Sequence, residues 1–241
     1  MANKSKLIVA LDLETIDEAR EMWRRLRGMV GMFKIGSQLF THAGPSIVQE
    51  IVEAGERVFL DLKFHDIPNT VAAASAEATR LGVSLLNVHA LGGGEMMRRA
   101  AEAVRNVSVR ENMLRPNLIA VTVLTSSDEL TLKETGYESS PKTQVARLAE
   151  LAAVCGLDGV VASGHEIQTV RACVPRKGFL IVTPGVRITS VGSPVTDDDQ
   201  KRVMTPNDAI RAGADFIVVG RPITQAPDPA RAAHEIVEQI G

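Results

Sequence analysis

Eight apolar runs of β type, each followed by a stretch with helical features, succeed one another through 241 residues with no composition break between them. The runs fall at 7–13, 32–36, from Val58 into a charged stretch, 85–90, 117–124, 159–162, 179–183 and 216–219. Strands that alternate with helices pair in parallel and are covered on both faces. Eight such units are the number that closes a (β/α)8 TIM barrel, whereas an open doubly wound sheet usually has fewer. The expectation is therefore an α/β chain forming one barrel domain over residues 1–241.

Local signals mark the helices. Thr15 and Glu18 have the spacing of a capping box, and Ala19, Met22, Trp23 and Leu26 form the apolar stripe behind them. Ile47, Val48, Ile51 and Val52 give a second stripe closed by Gly55, and Pro141 suits the first turn of a helix carrying Val145, Leu148, Leu151 and Ala152. Pro68 and Asn69 read as a stop followed by an N-cap, and Gly92-Gly93-Gly94 as a flexible turn. Residues 190–202 have no hydrophobic period and are expected to form a mobile loop over a site.

Charge narrows what the barrel could serve. Lys plus Arg is 27 and Asp plus Glu is 29, a net of −2, which offers no general attraction for nucleic acid or an anionic membrane. The opening residues make neither a signal peptide nor a membrane span, and Cys155 and Cys173 lack metal or redox spacing. A cytoplasmic protein with two reduced thiols is expected.

In a barrel the chemistry belongs at the C-terminal strand ends. The polar residues fall there: Asp12, Lys34, Asp61, Lys63, His89, Thr125, Arg187 and Arg221. The densest cluster follows Val58-Phe59-Leu60, where Asp61 and Lys63 enter an apolar run and Asp66 lies just beyond it. Side chains two apart on a strand share a face, roughly 6.6 Å apart at Cα, so Asp61 and Lys63 should point together, opposite Leu62 and Phe64. Burying such charges costs several kcal/mol each unless they are paired, roughly the scale at which a chain keeps them for a purpose.

Other candidates have ordinary readings. His89 fits a hydrogen-bonded core histidine, Asp197-Asp198-Asp199 a solvated loop, and His42, His165 and His234 have no evident partners. Gly220-Arg221 after the last strand reads on its own as a surface arginine following a glycine turn, but it also lies where barrels often hold phosphate, through backbone N–H groups and an arginine fork.

The run Asp61-Leu62-Lys63-Phe64-His65-Asp66-Ile67-Pro68-Asn69-Thr70 resembles the signature of the orotidine 5′-phosphate decarboxylase family, Asp-x-Lys-x-x-Asp-Ile-Pro-Asn-Thr. The likeness spans nearly the whole chain, through Ala10-Leu11-Asp12, Phe33-Lys34-Ile35-Gly36, Val88-His89-Ala90, Leu124-Thr125-Ser126, Pro184-Gly185-Val186-Arg187, Asp199-Gln200-Lys201-Arg202 and Val219-Gly220-Arg221-Pro222-Ile223. Ile188 departs from it, standing where many members have proline.

The resemblance implies a homodimer that decarboxylates orotidine monophosphate to uridine monophosphate (UMP) with neither cofactor nor metal. It further implies that Lys63 protonates C6 as carbon dioxide leaves, that Asp61 sits against the scissile carboxylate and that Lys34 holds the charge network. Asp66 and Ile67 would reach into the partner's site. Asp12 and Lys34 would hold the ribose, Thr125 the pyrimidine, and Arg187, Gln200, Gly220 and Arg221 the phosphate, with Thr70 also in the binding set. Two alternatives stand beside this one. Related barrels sharing Asp-x-Lys-x-x-Asp bind Mg2+ and act on sugar phosphates as decarboxylases or aldolases, and a non-catalytic phosphate-binding barrel is the other.

Overall fold

The computed structural model describes residues 3–186 and 204–240. Eight strands, β1 Leu7–Ala10, β2 Met32–Gly36, β3 Val58–Phe64, β4 Leu85–His89, β5 Asn117–Val121, β6 Gly159–Val161, β7 Leu180–Thr183 and β8 Phe216–Val219, form a closed barrel in chain order. Every neighbouring pair is parallel, and β1 closes on β8 with Ile8 opposite Val218. The expected barrel is therefore the observed one.

The described helices are α1 Ile16–Leu26, α2 Ser37–Ala43, α3 Ser46–Glu53, α4 Pro68–Arg80, α5 Gly93–Arg110, α6 Glu129–Glu134, α7 Pro141–Val154, α8 Ile167–Cys173, α9 Pro206–Ala212, α10 Arg221–Thr224 and α11 Pro229–Gln239. Thr15 caps α1, its hydroxyl accepting from the Glu18 N–H at 3.2 Å. No helix among the described residues is long and apolar enough to cross a membrane.

Alternation along each strand splits the apolar residues into two layers. Ile8, Ala10, Met32, Phe59, Leu85, Ile119, Val182 and Val218 point inward and pack with one another, while the larger cluster fills the space between strands and helices. Phe59 is the large buried side chain of the inner set, and it plugs the barrel beneath the polar residues.

Several local expectations are corrected. Asn69 is not the N-cap of α4: Ile67 occupies that position, Pro68 starts the helix, and Asn69 lies within it. Proline has its φ preset and no N–H to be capped, so it suits the first turn. The three glycines are not simply a loose turn. Gly92 ends a short 3-10 turn, Gly93 takes φ +83°, and Gly93 and Gly94 begin α5. The strand runs expected at 7–13 and 117–124 end earlier, at Ala10 and Val121. A helix, α2, precedes the expected stripe of α3, and α6 occupies a connection that carried no helical stripe. Residues 190–202, expected to form a loop, lie outside the described residues.

Candidate active site

Inward positions midway along β2, β3 and β4 carry Lys34, Asp61 and Asn87, which are buried. Asp12 stands just past β1 and is exposed. Lys34 Nζ donates to both Asp12 oxygens, at 3.0 and 3.1 Å, and lies 3.5 Å from Asp61 Oδ2. Lys63 Nζ donates to Asp61 Oδ1 at 2.8 Å. The four groups thus form a line of alternating charge, Asp12–Lys34–Asp61–Lys63. Gly36 makes room for it, since a β-carbon there would sit 2.9 Å from both Asp12 Oδ1 and Lys34 Nζ.

Burial alone would raise the Asp61 carboxyl, but the charges of Lys34 and Lys63 and the hydrogen bonds from Lys63 and Asn87 win, holding it below the usual carboxylate range. An acid so flanked stays ionised. A cation approaching it would meet an oxygen already taken by Lys63 and Asn87 and a second facing Lys34.

The expectation of regular alternation along the strand that begins at Val58 needs correction. Leu60 pairs with Leu86 and Phe64 with Val88, so four steps along β3 match two along β4. The surplus is a bulge, and within it Lys63 has φ +50°, a left-handed conformation uncommon for a non-glycine residue. Asp61 and Lys63 nevertheless meet as expected, and Leu62 and Phe64 pack against the outer core. What holds the bulge is Asn87, whose Oδ1 accepts from the Lys63 N–H at 2.8 Å and whose Nδ2 donates to Asp61 Oδ1 at 2.7 Å.

These charges line one side of a cavity of about 560 Å3, a size suited to a nucleotide-scale ligand. Across from them stand Val121, Val161, Val182 and Val218, and Phe59 contributes to the floor. Thr125 and Gly185 also line it from the segments after β5 and β7, and Gly220, Arg221 and Thr224 from the N-cap and body of α10 after β8. Asp12, Lys34, Asp61, Lys63, Thr125, Gly220 and Arg221 are therefore brought together from distant parts of the sequence. Asp66, Ile67 and Thr70 are not in this lining: they lie exposed at the start of α4, Ile67 being 66% exposed, and Asp66 Oδ1 accepts from the Ile67 N–H at 2.6 Å. Arg187 and Gln200, like Asp197-Asp198-Asp199, fall outside the described residues.

His89 does not fit the ordinary reading of a hydrogen-bonded core histidine. Its ring stacks on His65 with centroids 5.3 Å apart, and among the described residues its buried Nδ1 has no hydrogen-bond partner. Burial, then the neighbouring His65 and Lys63, lowers its pKa to about 4. Cys155 and Cys173 are both free thiols. Among the described residues no group of three or more His, Cys, Asp or Glu side chains is placed to hold a metal ion.

Two features of the site escaped the sequence. Asn87 sits in the apolar run Leu85-Leu86-Asn87-Val88, and a polar residue at the inward phase of a buried strand was the available signal. The valine wall had none, because an inward valine at the mouth reads like any other core residue.

Comparison with known proteins agrees with this picture. The profile of the family described as "Orotidine 5'-phosphate decarboxylase / HUMPS family" matches residues 5–236. A Syntrophotalea carbinolica protein named orotidine 5′-phosphate decarboxylase is 54% identical over 237 residues, covering 98% of this chain and 95% of its own. One of the same name from Moorella thermoacetica is 52% identical over 244 residues, covering 100% and 94%. Among solved structures, orotidine 5′-phosphate decarboxylase from Lactobacillus acidophilus superposes with a TM-score of 0.84 at 34% identity, covering 98% of each chain. A conserved Geobacillus kaustophilus protein described as uncharacterized does so at 0.83 and 37%, covering 98% of this chain and 100% of its own.

Proposed function

This chain belongs to the orotidine 5′-phosphate decarboxylase / HUMPS family, and on that premise we propose that it converts orotidine 5′-phosphate to UMP and carbon dioxide, the last step of de novo pyrimidine synthesis. The observation that carries this reading is the Lys63 ammonium, held by Asp61 at the open end of the charge line and lining the same cavity as an apolar wall.

Loss of carbon dioxide from the pyrimidine leaves an electron pair at C6 with no ring position or cofactor to accept it. An ammonium beside C6 stabilises that developing charge and then delivers a proton to it. Unit charges about 4 Å apart at an effective dielectric of about 20 interact by about 4 kcal/mol, or roughly a thousandfold in rate. Lys63 takes this role. Asp61, kept ionised by its neighbours, stands against the departing carboxylate, and Lys34 with Asp12 holds the ribose hydroxyls. The valine wall packs against the base and keeps water from the forming carbanion, where the same charge interaction would be weaker.

Arg221 and Gly220, with Arg187 and Gln200, take the phosphate, and Thr125 the pyrimidine edge. Binding energy gathered at the phosphate, far from C6, helps fix the reacting geometry. The exposed group Asp66, Ile67 and Thr70 completes the site of a second copy in a homodimer, a reading supported by the family resemblance and by a large apolar side chain left open at Ile67.

The deciding experiment is the loss of orotidylate absorbance on adding the purified protein, with and without EDTA. Turnover that survives the chelator is expected. Turnover that chelation abolishes points to the Mg2+ dependence of related barrels, and absence of turnover overturns the decarboxylase reading in favour of sugar-phosphate chemistry or a non-catalytic barrel.

A further inference from the structure

We infer that Asn87 is a positioning residue for the decarboxylation: it holds the Lys63 backbone in its bulge and the Asp61 carboxylate in register, so that the ammonium stays aimed into the cavity. This rests on the function proposed above and adds to it a residue that does not line the cavity.

The bulge creates a specific need. Where β3 gains its extra residues, the Lys63 N–H has no strand carbonyl opposite, and a buried unpaired donor is costly. Asn87, only 1% exposed, supplies an acceptor there at 2.8 Å. The same amide turns its donor to Asp61 Oδ1 at 2.7 Å, the oxygen that receives Lys63 Nζ at 2.8 Å. One side chain thus fixes both ends of the Asp61–Lys63 pair, main chain at one end and carboxylate at the other.

Few residue types meet that need. Leucine has the shape but neither hydrogen-bonding atom. Glutamine is one methylene longer, which would move its amide away from the two atoms that Asn87 bridges. Aspartate keeps the acceptor for the Lys63 N–H, but when ionised it turns a second negative oxygen toward Asp61. When protonated, it presents an O–H in place of the amide N–H and reproduces both contacts. The inference therefore predicts a pH-dependent rescue that a packing role alone would not produce.

The test compares wild type with Asn87→Leu, Asn87→Ser and Asn87→Asp, measuring kcat and KM for orotidylate, affinity for UMP, and the pH profile of each folded variant. Removing hydrogen bonds to a charged group lowers kcat by about 10- to 100-fold in Asn87→Leu. UMP affinity stays within about threefold, because no ligand contact is lost. Asn87→Asp is impaired at neutral pH and gains on wild type as pH falls and the introduced carboxyl protonates. If Asn87→Leu does not fold, Asn87→Ser, which keeps a small hydroxyl, carries the comparison of kcat with affinity.

Variant kcat values within about threefold of wild type overturn the inference, as do equal losses of kcat and UMP affinity or an Asn87→Asp to wild-type ratio that is flat with pH. An inactive wild type overturns the proposed function and this inference together, whereas an active wild type with unchanged variants overturns the inference alone.

Discussion

Lys63 Nζ reaches Asp61 Oδ1 at 2.8 Å across two residues of one strand, and it does so from a backbone turned to φ +50°. In a regular strand, neighbours on one face stand side by side with parallel side chains. The bulge instead turns the lysine backbone out of line while its ammonium still meets the preceding acid. The pair that carries the proposed chemistry is thus also where the barrel departs from its regular ladder.

Removing the ammonium should stop the chemistry while leaving the ligand pocket. Lys63→Ala is expected to lose at least about a thousandfold in kcat, with UMP binding still measurable by calorimetry. Lys63→Gly should be equally inactive yet more stable to urea by about 1 kcal/mol, since glycine accepts positive φ without strain. Near-normal turnover in either variant would remove Lys63 from its role.

The phosphate assignment separates two ligands. Arg221→Ala should weaken UMP by about 10- to 100-fold, the value of a hydrogen bond to a charged group, and leave uridine affinity unchanged. Equal affinity of mutant and wild type for UMP would count against it.

A shared site can be tested by mixing. Lys63→Ala and Asp66→Ala chains, each inactive alone, should regain part of the wild-type activity when co-refolded, because each hybrid dimer contains one intact site of its two. No recovery from dimers shown to be mixed would mean that each chain builds its own site.

His89 gives stability a pH dependence of known sign. Its folded pKa, about 4, lies below the ordinary value of 6.5, so its contribution is complete above about pH 6.5 and is lost as pH falls toward about 4. Thermal unfolding midpoints measured at pH 7.5 and 5 should therefore drop more for wild type than for His89→Gln. Equal drops would show that the buried ring does not set the slope.

Much of the molecule was legible in the chain because it depends on neighbours in sequence. Apolar runs with inward and outward phases, interleaved with helical stripes, determined the eight parallel strands and the closed barrel. Charge intruding in or just past buried apolar runs marked Asp12, Lys34, Asp61 and Lys63, because an ionised side chain drawn into such a run is expensive unless it is paired. Only the tertiary structure could decide what those charges meet. That Lys34 stands between Asp12 and Asp61 follows from β2 lying between β1 and β3 at a fixed register. The bulge at Lys63 and its clasp by Asn87 arise from pairing with β4, 24 residues away, and periodicity within one strand carries no information about a partner's register.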